Sequence, residues 1–177
     1  MNTLVTRMIR AAKLDVNLYE EVEADRSTLS HAMLVVVLAS LAAGVGSVGK
    51  LGLAGILVGT VAALGGWFLW AYLIYLIGAK MLPEAQTSSD IGELLRTTGF
   101  ASSPGLLRIF GIIPGLGMLV FWVSAIWMLV ATVIAVRQAL DYQSTPRAVG
   151  VCLIGWTIQT LLLAMMFVFM AGSAAGI

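Results

Sequence analysis

The sequence predicts an all-α polytopic membrane protein, a bundle of about five transmembrane helices. The first observation behind this is composition: 60% of the 177 residues are hydrophobic and only 11% are charged. A soluble domain carries about 25% charged residues because its surface must face water. The second is that the apolar residues fall in long runs, and a bilayer core needs about 20 such residues. The net charge of +1 argues against nucleic acid as a partner.

Residues 1–26 are polar and are predicted to form a cytoplasmic N-terminal tail. Apolar residues alternate there with Arg7, Arg10 and Lys13 at helical spacing. This pattern indicates a short basic amphipathic helix that lies on the membrane surface. The acidic residues that follow, from Glu20 to Asp25, are expected to form a solvated face.

Residues 27–177 are predicted to form a five-span transmembrane domain. The expected spans are about 31–48, 51–77, 91–113, 116–136 and 146–170. Asp90 and Glu93 have the spacing of a capping box at the start of the third span. Pro104 lacks a backbone donor, so we expect the third helix to be broken there.

Charge asymmetry favours five spans over four. Lys and Arg concentrate on the cytoplasmic side of short loops. Five spans with the N-terminus inside place Arg96 on the cytoplasmic side and leave only Lys50 outside, whereas omitting the third span would also place Arg137 and Arg147 outside. We therefore expect a cytoplasmic N-terminus and an external C-terminus.

Small residues in the second span predict a helix-packing face. Gly55, Gly59 and Ala63 lie one helical turn apart, and this spacing lets two helices approach closely in a membrane. The sequence does not show whether the partner is within the chain or in another subunit.

Two polar residues are predicted to lie within spans. Arg108 is expected to extend to the outer headgroups from near the end of the third span, so Arg108→Gln should be tolerated. Gln159, nearer the middle of the last span, is expected to form a hydrogen bond with another helix.

The sequence contains no motif that indicates catalysis. The chain has one His and one Cys, and no metalloprotease, nucleophile-elbow or phosphate-loop pattern. No catalytic, metal-binding or cofactor-binding residue is therefore predicted, and we expect a protein that is not an enzyme.

The chain resembles the Yip family, five-span membrane proteins named for their interaction with Ypt/Rab GTPases, and is most similar to its small prokaryotic members. Gly99, Phe100 and Pro104 match the family's Gly–aromatic–x–x–x–Pro in the third span, and the stretch 126–139 is similar to its fourth span. The resemblance covers residues 14–170. Eukaryotic members carry an Asp-Leu-Tyr-Gly-Pro-like motif near the N-terminus. No Gly-Pro follows Tyr19, so GTPase binding is not carried over.

The resemblance implies a non-enzymatic membrane scaffold or protein-interaction partner, which contacts the lipid bilayer and either other membrane proteins or itself. One alternative is an accessory structural subunit of a larger, energy-transducing membrane complex. A second alternative is a small transporter, although the only acidic residue in a predicted span is Glu93, at the very start of the third, and the chain has no matching pair of broken helices.

Overall fold

The computed structural model describes residues 3–46 and 48–175. Residues 1, 2, 47, 176 and 177, at the ends of the predicted tail, first span and transmembrane domain, lie outside the described residues. The described part is helical, and its α-helices are α1 Leu4–Ala12, α2 Val16–Ala24, α3 Leu29–Gly46, α4 Val48–Ile74, α5 Ile91–Ala101, α6 Gly117–Ala139 and α7 Thr145–Ala175. The prediction of an all-α bundle is confirmed.

Three helical segments of other types occur among the described residues, in addition to the connecting loops. A short 3-10 turn, Arg26–Thr28, connects α2 to α3, a π-helix continues α4 over Tyr75–Met81, and a 3-10 helix follows α5 over Ser103–Ile112. Within α4, Gly52 has φ of 62° and kinks the helix near its start.

Five segments alternate in direction along the bundle. Ser40 of α3 contacts Thr60 of α4 through their hydroxyls at 3.2 Å, and Gly44 packs against Ile56. Because the higher residue number on α3 faces the lower one on α4, these two helices are antiparallel.

The third segment, α5 with its 3-10 helix, runs parallel to α3. Gly99, near the end of α5, lies against Ala32 near the start of α3, and Gly111 lies against Gly46 at the end of both segments. The broken segment therefore extends along the whole of α3, although α5 alone is only 11 residues long.

The last two helices continue the alternation. Along α6 and the third segment, contacting residues run in opposite order, and the same holds for α7 and α4. The pairs are Gly105 with Met128, Arg108 with Ser124, Gly66 with Gln159 and Ile74 with Gly155.

Four helical stretches in the described residues are long and apolar enough to cross a membrane: Arg26–Gly46, Ala54–Met81, Gly117–Ala139 and Thr145–Met166. The third segment is not among them because its helix is interrupted. We call the end where α1 and α2 pack the hairpin end, and the end near Gly46 and Gly117 the far end.

The break in the third segment lies close to the predicted position. α5 ends at Ala101, Ser102 is its C-cap, and Pro104 lies in the first turn of the 3-10 helix. A proline leaves the carbonyl four residues before it without its helical partner. That carbonyl, of Phe100, accepts a hydrogen bond from the Ser103 hydroxyl at 2.7 Å. The predicted capping box of Asp90 and Glu93 is also present.

Candidate interaction site at the hairpin end

The two N-terminal helices form a hairpin closed by ion pairs. Arg7 binds Glu21 at 3.0 Å and Asp25 at 3.3 Å, while Arg10 binds Asp15 at 2.7 Å and Glu21 at 2.5 Å. The hydrogen bond from Arg10 lowers the pKa of Asp15. The two helices are thus joined by matched charges and not only by apolar contacts.

This pairing differs from the expected solvated acidic face. Arg7 and Arg10 keep only 13% and 26% of their side chains exposed, whereas Lys13 is exposed. The outward face of α1 carries the apolar residues Val5 and Ile9. Contact of the three basic residues with headgroups stays a prediction, with Lys13 the most accessible.

The hairpin packs on the bundle through apolar side chains. Met8 and Ala11 of α1 and Leu18 and Val22 of α2 are buried in one cluster with Phe100. Phe100 is fully buried, and the hairpin packs against this residue of the family motif.

The other two motif residues shape the packing of the third segment. A Cβ at Gly99 would lie 2.7 Å from the Cβ of Ala32 and 3.1 Å from its carbonyl oxygen, so only glycine allows this close approach to α3. Pro104 is buried in the turn beyond the break.

Arg96 of α5 binds the end of α2 through two hydrogen bonds. Its side chain is buried, Nε donates to the carbonyl oxygen of Val22 at 3.0 Å, and Nη2 donates to that of Glu23. These carbonyls lie in the last turn of α2, where backbone acceptors lack helical partners and attract a cation. Sequence reasoning placed Arg96 at the cytoplasmic side but missed this role. The available signal was an arginine within an otherwise apolar segment.

A polar cavity of about 630 Å³ opens between α2, α5 and the α6–α7 connection. Four carboxylates line it: Glu20, Glu23, Glu93 and Asp141. Burial, together with Asp141 and Glu93, raises the pKa of Glu23 to about 7. The lining also includes Arg137, but its guanidinium donates to the carbonyls of Tyr142 and Gln143. The cavity therefore presents mainly acceptors.

Hydrogen bonds connect the loops around this cavity. The Tyr142 hydroxyl shares its one proton between the carbonyl oxygens of Gly78 and Leu82, at 2.9 and 2.7 Å, and Arg147 donates to the carbonyls of Leu82 and Pro83. These bonds hold the end of the π-helix against the start of α7. Tyr142 was not singled out from the sequence, since a tyrosine in a loop carries no distinctive pattern.

The predicted packing face on α4 is open in this chain. A Cβ at Gly59 would meet nothing within 4 Å. Gly55 and Ala63 are partly buried. Among the described residues, no other helix lies against Gly59, so the packing role of this face stays a prediction about a partner outside the chain.

The two polar residues that were predicted to lie within spans have protein partners. Gln159 Nε2 donates to the carbonyl oxygen of Gly66 on α4 at 3.3 Å, beside a small polar cavity of about 220 Å³. Arg108 Nε donates to the Ser124 hydroxyl on α6 at 3.1 Å. Within the described residues, Arg108 forms no ion pair with a carboxylate.

The described ranges contain no group of three or more His, Cys, Asp or Glu side chains placed to hold a metal ion. The fold is that of a polytopic helical membrane protein with a packed N-terminal hairpin. Residues 17–167 match the family model described as the Yip1 domain, which covers most of the chain. The chain belongs to the Yip family, whose members are generally non-enzymatic membrane proteins. No curated protein and no solved structure matches the chain.

Proposed function

We propose that this protein is a non-enzymatic membrane scaffold that binds another membrane protein or a second copy of itself. The observation that carries the proposal is the open face of α4 at Gly59. α7 covers α4 beside Gly66 through Gln159, but about two helical turns earlier on α4 no described atom lies within 4 Å of the position of a Gly59 Cβ. Residues 161–166 of α7 are all exposed.

The opening between α4 and the far half of α7 therefore suits an additional helix. Helices associate in a membrane by close packing and not by hydrophobicity, because lipid tails are as apolar as the side chains. A glycine at such a face brings two backbones together, and lipid does not replace the dispersion attraction between them. The scaffold requires no cofactor, and we place it in a prokaryotic cytoplasmic membrane with the N-terminus inside and the C-terminus outside.

The test compares Gly59→Leu with Gly65→Leu. Gly65 lies on the same helix and also has nothing within 4 Å, but at 100° per residue it points about 120° away from Gly59. After solubilisation in mild detergent at native expression, native gels and mass spectrometry would measure the associated protein. We expect Gly59→Leu to lower the associated fraction about tenfold, equivalent to about 1.4 kcal/mol.

Equal association of both variants with the wild type would contradict the proposal and would show that this face meets only lipid. A fixed, stoichiometric set of partners lost in Gly59→Leu would favour the accessory-subunit form of the proposal. Self-association lost in the same variant would favour the scaffold form.

A further inference from the structure

A second cavity lies at the far end of the bundle, away from the hairpin. It has a volume of about 670 Å³ and is enclosed by the end of α3, the 3-10 helix and the start of α6. Of the described side chains that line it, only Arg108 is charged; the others are small or apolar, including Val120, Phe121 and Trp122.

Arg108 is held in place on the wall of this cavity. Its Nε donates to the Ser124 hydroxyl, and its guanidinium carbon lies 5.3 Å from the centre of the Phe121 ring. Ser124 is in turn fixed, because its hydroxyl donates to the carbonyl of Val120 at 2.8 Å. Two contacts thus orient a half-buried guanidinium, and no described carboxylate pairs with it.

A half-buried guanidinium inside the bundle is expected to bind an anion. A charge inside a membrane segment is costly, and such groups pair with a counter-charge or reach the headgroups. Arg108 is four residues from the end of the 3-10 helix, about 8 Å at 2 Å per residue, so the headgroup level is within reach of its side chain.

The N-terminus of α6 contributes a second source of positive charge to the cavity. α6 begins at Gly117 without a side-chain cap, and Gly117 lines the cavity. The first N–H groups of a helix lack internal partners and carry a partial positive charge, so they attract anions.

We propose that this cavity binds one anionic phospholipid at the far end of the bundle. The phosphate lies on the guanidinium of Arg108, which matches phosphate oxygens with two parallel donors. The acyl chain lies along the apolar wall formed by Val120, Phe121 and Trp122. A free phosphate would share the headgroup chemistry but would leave this wall without contact.

The test measures lipid binding to the purified protein in detergent by native mass spectrometry. Phosphatidylglycerol and the zwitterionic phosphatidylcholine are titrated separately. We expect phosphatidylglycerol to bind about tenfold more tightly to the wild type, and Arg108→Gln to remove this preference. Arg26→Gln is the matched control, because it removes the same charge from an exposed position at the hairpin end. It should keep the preference.

A second variant tests the cavity independently if Arg108→Gln does not fold. Gly117→Leu leaves Arg108 in place but directs a side chain into the cavity, where the nearest atom to an added Cβ is the Gly111 carbonyl oxygen at 3.5 Å. It should also lower binding of phosphatidylglycerol.

Three outcomes would overturn the proposal. They are equal binding of the two lipids to the wild type, an equal loss in Arg108→Gln and Arg26→Gln, and displacement of the lipid by inorganic phosphate alone. The last would show an ion site without a lipid chain. Resistance of the bound lipid to excess inorganic phosphate supports the lipid assignment.

Discussion

Arg96 and Val22, 74 positions apart in the chain, are joined by a buried hydrogen bond from the guanidinium Nε to the carbonyl oxygen at 3.0 Å. Together with the bond to Glu23, it couples the third segment of the bundle to the end of α2. The N-terminal region is therefore part of the folded bundle, and its position depends on a cation that sequence reasoning assigned only to one side of the membrane.

Removing this cation should release the hairpin. Arg96→Met leaves two carbonyls of α2 without their charged donor, and hydrogen bonds to charged groups contribute about 1.5–3 kcal/mol each. We expect the hairpin to lose about 3 kcal/mol of stability. Amide hydrogen exchange measures this loss of stability: exchange should become faster in α2 and stay unchanged in α6. Arg26→Met, at an exposed arginine, is the control. Unchanged exchange in α2 of Arg96→Met would show that apolar packing alone holds the hairpin.

The hairpin should also respond to pH through Glu23. Burial next to Asp141 and Glu93 raises the pKa of Glu23 from 4.5 to about 7, even with Arg96 nearby. A carboxyl whose pKa is raised on folding binds its proton more tightly in the folded state. Its contribution therefore falls as pH rises from about 4.5 to about 7 and is constant above that.

Glu23→Gln should remove this pH dependence. We expect the variant to match the wild type at pH 5 and to exceed its stability at pH 8 by about 1 kcal/mol, since solvent screens a carboxylate that stays partly exposed. Thermal unfolding at both pH values measures it. Glu20→Gln, on the same helix, should keep most of the dependence. A stability difference between the wild type and Glu23→Gln that is the same at pH 5 and pH 8 would contradict this account.

The close approach of α5 to α3 gives a packing prediction. In Gly99→Ala the new methyl group would meet the Cβ of Ala32 at 2.7 Å and its backbone carbonyl at 3.1 Å, so a helix must move. Overpacking of this kind costs about 1–3 kcal/mol. Gly65→Ala has open space and should be neutral or slightly stabilising. Thermal unfolding in detergent compares them, and equal melting temperatures would show that α3 and α5 are not in tight contact.

Sequence reasoning predicted features that depend on neighbours in the chain. Apolar runs gave the helices, the spacing of Asp90 and Glu93 gave the capping box, and Pro104 placed the break within three residues of the end of α5 at Ala101. Each of these follows from backbone hydrogen bonding over a few residues, which the local sequence determines.

Features that join distant segments could not be read in the same way. Arg7 and Glu21 carry charges that suit either solvent or each other, and only the packing of α1 on α2 decides between them. The bond from Arg96 to Val22 and the placing of Arg108 on Ser124 likewise need the three-dimensional arrangement. The π-helix at the end of α4 has no local signal that distinguishes it from an α-helix.

The five-pass topology, and with it the external placement of the Arg108 cavity, requires the third segment to cross the membrane beside α3. Cysteine accessibility in intact cells tests this most directly, in a background where the buried Cys152 is replaced. Single cysteines are introduced at the exposed residues Ile113, at the far end, and Gln143, at the hairpin end. We predict that an impermeant reagent labels Ile113→Cys from outside and labels Gln143→Cys only after the membrane is opened. Labelling of Gln143→Cys from outside intact cells, with Ile113→Cys protected, would contradict the five-pass bundle, because a third segment that does not cross the membrane exchanges the sides of these two positions.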